Sequence, residues 1–459
     1  MTIAMPTESS NRVGRLLRRV EDALADDLVP AEIFADEDLF RLEVEHIFTR
    51  AWIFVGHESE IPNAGDFVLR RIGLDPVIVT RDGDGGVNVM SNYCRHRGTQ
   101  ICQSDRGNTR FFKCSYHGWT YSNTGELVGT PLMRPAYGEP LDPKAWGLLR
   151  APRVESRHGF IFATLSEDAP TLDEYLGGAG WMLDLMVGLH PDGMRVIGPP
   201  DRYTLSVNWK TAAENAGGDI YHVPTLHGSA EEVAMSVALD GTVASARIFE
   251  FENGHTALGQ TWTEVMGPEF NAWAYPPSVK DHLDLSGLDA SQSYVVNHAS
   301  PTVGTIFPNL SFVRLLSPTL PGEPFTVFTS YRQWQPVSPS KVELWSWQFV
   351  WNFQSEEDAV RDYLTGQFAF GSAGIFEQDD TVAWEGATRA GASPWARKAG
   401  MNFHFQQGRK SEIDQSPDPN WAGPGILRNT GYGEHVQMNF YRHWLDLMKA
   451  AAQEEGIDI

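Results

Sequence analysis

Cys94-Arg95-His96-Arg97-Gly98 and Cys114-Ser115-Tyr116-His117-Gly118-Trp119, with seventeen residues between His96 and Cys114, decide the reading of this chain. Each stretch supplies one thiol and one imidazole and is closed by a glycine. Two thiolates on one iron and two imidazoles on the other form the donor set of a Rieske-type [2Fe–2S] centre, with a potential of about −150 to +300 mV. Such a centre takes and gives single electrons. Zinc also accepts two Cys and two His, but its knuckles usually open with a C-x₂₋₄-C pair, and each knuckle here has one Cys.

Outward from the knuckles, from about Trp52 to Leu165, the texture is β-rich. Short pieces at 66–71, 76–80 and 87–91 are separated by Gly, Asp and Asn turns, which predicts a small antiparallel β domain with the cluster ligands on its loops. Before it, Asp36 can cap a helix whose apolar positions Phe40, Val44, Ile47, Phe48 and Trp52 recur with a helical period, an arm packing on a larger domain. After it, 171–190 reads as helix, 202–207 as strand, and a helix begins near Asn208-Trp209-Lys210. The segments 293–298, 305–307, 325–334 and 342–350 are rich in β-branched and aromatic residues and predict strands of one antiparallel sheet. Ser355 caps a helix running to about Phe370, and an amphipathic helix over 436–450 closes the chain. The expected division is an arm at 1–50, a cluster domain at 51–165 and a catalytic domain at 166–459, of α+β class.

At 459 residues the chain has room for two domains or more. Its 36 basic and 59 acidic residues give a formal charge of −23, against a general nucleic-acid binder, which needs a basic stripe to neutralise phosphates. Cys94, Cys102 and Cys114 are the three cysteines, too few for a disulfide framework, and Cys102 reads as a small apolar core residue. Residues 1–20 lack the apolar region of a secretory signal, and no apolar run reaches about 18 residues. The expectation is a cytoplasmic protein with no membrane span.

A second constellation, Asp219-x-x-His222-x₄-His227, follows Glu214-Asn215-Ala216-Gly217-Gly218. Two His five apart on a regular helix point about 140° apart, so one ion can be shared only if the helix breaks, and Pro224 lies between them to break it. Two imidazoles and a carboxylate with open positions form the facial triad of non-haem Fe(II) oxygenases. Asp219 is better placed to orient His222, which leaves the acidic pair in Phe376-Glu377-Gln378-Asp379-Asp380 as the source of the third ligand.

With these motifs in this order, the chain resembles the α subunits of Rieske non-haem iron ring-hydroxylating dioxygenases over nearly its full length. The stretches that carry the resemblance are 94–98, 114–119, 208–210, 214–227, 305–308 and 374–380. The resemblance implies a Rieske domain with Cys94, His96, Cys114 and His117 on the [2Fe–2S] cluster, beside a helix-grip-like catalytic domain with an antiparallel sheet surrounded by helices. It implies a mononuclear Fe(II) on His222, His227 and Asp380, with Asp379 as the alternative. Catalytic roles fall to Asp219, linking a cluster histidine of a neighbouring subunit to His222, and to Asn215. Substrate-pocket positions fall to Ala216, Val223, His298, Phe307, Phe370 and Phe376. The implied partners are a ferredoxin and a reductase, O₂, an aromatic substrate and a small β subunit, in an α3β3 or α3 assembly, and the implied product is a cis-dihydrodiol. Arg95, Arg97, Arg106, Arg110 and Lys113 around the knuckles suit docking of an acidic ferredoxin.

The motif-flanking positions carry no Arg or Lys, so an uncharged mono-, bi- or polycyclic arene is preferred to phthalate or benzoate. Arg202, Arg332 and Arg389 are the cations whose arrival in the cavity would reverse that preference. Monooxygenation or demethylation within the same superfamily is the near alternative. A Rieske electron carrier is the distant one, because it would leave some 290 residues and the second array unexplained. Small residues at Ala216 and Gly217 are expected to make room for a large ring.

Overall fold

The computed structural model describes residues 7–236 and 241–459, so the first six residues of the arm lie outside the described residues. The chain forms two compact units, one of Phe48–Leu172 and the other of the segment before it together with Asp173–Ile459. No helix among the described residues is long and apolar enough to cross a membrane.

The smaller unit is built of antiparallel sheets. A four-stranded sheet orders Val87–Ser91, Asp75–Arg81, Asp66–Ile72 and Arg106–Asn108, and a three-stranded one joins Phe111–Lys113, Thr120–Ser122 and Leu127–Gly129. Phe67, Ile78, Met90, Phe112, Trp119 and Tyr121 fill the space between them and close around Cys94 and Cys114. Apolar burial of this kind is what holds so short-stranded a unit together. One cluster knuckle follows Val87–Ser91; the other is the tip of the hairpin between Phe111–Lys113 and Thr120–Ser122.

The larger unit is organised on one eight-stranded antiparallel sheet, in the order Met194–Leu205, Lys341–Trp351, Phe325–Ser338, Leu310–Pro318, Ser300–Ile306, Thr256–Gln260, Ala246–Glu250 and Ile426–Arg428. The helix Glu356–Phe370, capped by Ser355 accepting from the Asp358 N–H, and the helix Ile375–Ala392 bring Phe370 and Phe376 onto Val313 and Phe328. The helix His435–Glu454 lays Val436 on Ile248 and Leu258. In the arm, Asp36 caps the helix Glu37–Glu43 through the Leu39 N–H at 2.9 Å. Glu43, at that helix's end, accepts from Lys210 Nζ (2.6 Å) and from the indole N–H groups of Trp209 and Trp444 (2.9 Å each). With both charges fully buried, this pair fixes the arm to the start of the site-bearing segment.

One strand expectation is corrected. Residues 293–298 end a helix, Ala290–His298, and do not form a strand. Asp289 accepts from the Gln292 N–H (2.8 Å) while the Gln292 side chain accepts from the Asp289 N–H (2.9 Å). This reciprocal cap starts a helix that the β-branched pair Val295-Val296 does not overturn. The strand starts only at Ser300.

Candidate metal centres and the cavity beside one of them

In the smaller unit the two knuckles repeat one geometry. The Gly98 N–H donates to the Cys94 carbonyl (2.8 Å) and the Gly118 N–H to the Cys114 carbonyl (3.0 Å). Both glycines have positive φ, +72° and +73°, a conformation that suits a residue without Cβ. Both thiols are buried, and the His96 and His117 rings lie 4.4 Å apart with Trp119 stacked on His96 at 5.1 Å. The Tyr121 hydroxyl accepts from the Arg95 N–H (3.1 Å) and lies 3.4 Å from Cys94 Sγ, where its own proton can point at a thiolate. Burial pushes the Cys94 thiol pKa up; coordination to iron reverses this, because a metal-bound thiol is deprotonated. Buried His96 Nδ1 has no hydrogen-bond partner. Two buried thiols and two adjacent imidazoles on paired knuckles therefore fit a [2Fe–2S] cluster. Arg95 is held by the Gly147 carbonyl and Trp146, whereas Arg97, Arg106, Arg110 and Lys113 are exposed.

In the larger unit, Asn208 caps the helix Trp209–Asn215, which unwinds before Asp219. Asp219 accepts from the Tyr221 N–H (3.0 Å) and from Asn215 Nδ2 (3.0 Å), and its Oδ2 is 3.1 Å from His222 Nδ1. Pro224 does not break a helix between the two histidines. It sits in the first turn of the short helix Val223–Leu226, where a missing N–H costs nothing, and the histidines flank this helix at its two ends. Gly217 does not enlarge the cavity: a Cβ there would come 2.7 Å from Thr256 Oγ1, so its smallness lets the segment pack on the strand Thr256–Gln260.

The helix Ile375–Ala392 brings Asp380 Oδ1 to 3.4 Å from His222 Nε2 and 3.2 Å from His227 Nε2. One ligand atom from each of these three residues lies within 4.8 Å of the others. Asp379 Oδ2 instead faces the other nitrogen of His227, at 3.4 Å. Asp380 Oδ1 is buried with no hydrogen-bond donor, as expected of an oxygen awaiting a cation. Burial disfavours the His222 imidazolium, but Asp219 and Asp380 outweigh it and push its pKa up to about 10. Burial also opposes the Asp380 charge, and the two histidines more than offset it, holding that carboxyl down at about 2. An anionic carboxylate and two imidazoles drawn to one point fit a mononuclear iron, which takes the place of the protons. Nearby, burial followed by the charges of Asp219 and Glu434 drives the Glu214 carboxyl well above the usual range.

A cavity with about 890 Å³ of space, part of it open to solvent, adjoins the triad. Asn215, Ala216, Val223, Phe370 and Phe376 line it; His298 and Phe307 do not. Phe307 belongs to the core, packed on Phe440 (5.2 Å) and His443 (4.8 Å), and His298 is exposed at the end of its helix. The helix Ala290–His298 contributes no lining residue, and the strand Ser300–Ile306 supplies Thr302 and Val303. Arg202 and Arg389 are exposed and paired with Glu343 and Glu385. Arg332 does reach the cavity, but it is ion-paired with buried Glu377. Sequence reasoning missed Gln260, Trp262 and Trp384 as lining residues; the available signal was a glutamine ending a buried strand.

Two family models match, "Rieske [2Fe-2S] domain" over residues 51–149 and "Ring hydroxylating alpha subunit (catalytic domain)" over residues 172–450. The chain is 46% identical to the N,N-dimethyl phenylurea N-demethylase subunit alpha of Sphingobium sp. (strain YBL2), covering 96% of this chain and 95% of that relative. It is 33% identical to the large oxygenase component of the naphthalene 1,2-dioxygenase system of Pseudomonas aeruginosa, covering 93% of each. Among solved structures, naphthalene 1,2-dioxygenase from Rhodococcus sp. bound to indole matches with a TM-score of 0.89 and 35% identity, over 96% of this chain and 99% of that one.

Proposed function

The chain belongs to the Rieske-type ring-hydroxylating oxygenase α subunits, and from that premise we propose that it is the terminal oxygenase acting on an uncharged aromatic substrate, with cis-dihydroxylation of the ring as its reaction. The observation that carries the substrate reading is the cavity beside His222, His227 and Asp380: its walls are mainly apolar, and Arg332, the cation among its described lining residues, is already neutralised by Glu377. An aromatic carboxylate would enter a space that offers it no free positive partner and holds Asp219 and Asp380.

In this proposal Cys94, His96, Cys114 and His117 hold the cluster and His222, His227 and Asp380 hold the mononuclear iron. When bound, the cluster relays single electrons and the iron activates dioxygen. Asp219 fixes the His222 ring through its Nδ1 side and stands where a cluster histidine of a neighbouring copy, His117, would meet it. Phe370, Phe376 and Val313 pack against the aromatic ring and exclude water. The four exposed cations around the knuckles receive an acidic ferredoxin, itself fed by a reductase. A small β subunit, an α3β3 assembly, a cytoplasmic location and the division at 1–50, 51–165 and 166–459 complete the proposal.

A second reading, oxidative N-dealkylation, is favoured by the 46% identity to a demethylase subunit. One reconstituted assay separates the readings. Naphthalene and biphenyl should give dihydrodiols; formaldehyde released from an N,N-dimethyl arylamide, without dihydrodiol from either hydrocarbon, selects dealkylation, and turnover of phthalate alone rejects an uncharged substrate.

A further inference from the structure

The cavity is not apolar throughout. Gln260 lines it, is 3% exposed, and its amide has no hydrogen-bond partner among the described residues. The amide is not among the fully buried unpartnered atoms, so it is reached from the cavity, where water or a ligand completes its bonding. Its position follows from strand alternation. Thr256, Leu258 and Gln260 share one face of their strand. A Cβ on Gly217 would meet Thr256 Oγ1 at 2.7 Å, and one on Gly218 would meet Leu258 at 3.2 Å. The first two side chains therefore lie under the segment that carries Asp219 and His222, and Gln260 follows on the same strand, past a register shift between Leu258 and Gly259. There it lines the same cavity as Val303, Leu315 and Phe370. The neighbouring hydroxyl of Thr302 donates to the Leu258 carbonyl at 3.1 Å, so its proton is not offered to the amide oxygen.

We propose that Gln260 is a specificity-determining residue, and that the preferred substrates are uncharged aromatics bearing a carbonyl group of the amide, urea or carbamate kind. The carbonyl oxygen accepts from Gln260 Nε2, and an adjoining N–H donates to Oε1. A primary amide offers a donor and an acceptor on separate atoms without charge. A bare hydrocarbon leaves both unmet, and the ionised carboxylate of a benzoate has no free cation here. This inference rests on the proposed function, and it names which uncharged aromatics the site selects.

The test uses iron-loaded enzyme and two probes, N-phenyl-N′,N′-dimethylurea and biphenyl, with dissociation constants read by titration. Gln260→Leu should weaken the urea by about tenfold or more, as loss of a buried hydrogen bond does, and leave biphenyl unchanged or tighter. Gln260→Met carries the same expectation should the leucine variant fold poorly, and the visible spectrum of the cluster reports folding in each. Equal shifts for both probes, or no shift for the urea, would overturn the assignment. Biphenyl turnover by the unmodified enzyme together with an unshifted urea rejects Gln260 and keeps the proposed function; failure of both probes to bind the unmodified enzyme rejects both.

Discussion

Asp380→Ala should separate the two metal centres of one chain. Asp380 Oδ1 sits 3.4 Å and 3.2 Å from the Nε2 atoms of His222 and His227, and no hydrogen-bond donor reaches it. Alanine thus removes an anionic ligand without orphaning a protein donor at that oxygen. The fully loaded chain holds about three irons and two inorganic sulfides, two of the irons in the cluster. The variant should hold about two irons and two sulfides, with the visible absorption of the cluster unchanged and substrate oxidation abolished. Asp379 is a poor replacement, because its carboxylate faces His227 Nδ1 at 3.4 Å, not the Nε2 atom turned to the shared point. Metal analysis, acid-labile sulfide and a thermal melt on the same sample decide the matter. About three irons per chain with turnover within about tenfold of the parent would refute the assignment of this ligand and move it to Asp379 or elsewhere.

Asp219→Ala should retain both metal complements and stop turnover, since the link from a neighbouring cluster to His222 is cut; near-normal oxygen consumption coupled to product would remove that role. Phe370→Val and Phe376→Val should change which ring carbons are oxidised, read by product chromatography, and an unchanged product ratio would return both rings to core packing. Glu43→Gln leaves buried Lys210 without its counter-charge and should cost about 3–5 kcal/mol, seen as a lower unfolding midpoint that Glu43→Gln with Lys210→Met partly restores. Asp362 is held up at about 6 by burial, against the opposing bonds from Gln354 and Thr326. Its favourable contribution is therefore full below about pH 4 and lost as pH rises through about 6, worth at most about 3 kcal/mol. Asp362→Asn should flatten that part of the melting-temperature profile, and an unchanged slope between pH 4 and 7 contradicts the shift.

The cluster knuckles were legible because the Rieske pattern is local: each loop needs its donors and a glycine within a few residues, and Gly98 and Gly118 adopt the positive φ such loops need. The histidine pair was legible for the same reason, and the helix caps at Asp36 and Ser355 could be read from neighbours three residues away. What the tertiary structure alone decided depends on register across long separations. Spacing left Asp379 and Asp380 both open and only the resemblance chose Asp380; the reason Asp380 meets both Nε2 atoms is that a helix more than 150 residues downstream is rotated to present it. Arg332 reaches the cavity yet contributes no free charge, because Glu377 is buried against it. His298 and Phe307 leave the cavity, and Gln260 enters it, because the reciprocal cap at Asp289 and the alternation of a buried strand set which side chains face inward. Local spacing specifies which chemistry a loop can support; the composition of a cavity is set by packing among elements distant in sequence, which no short pattern encodes.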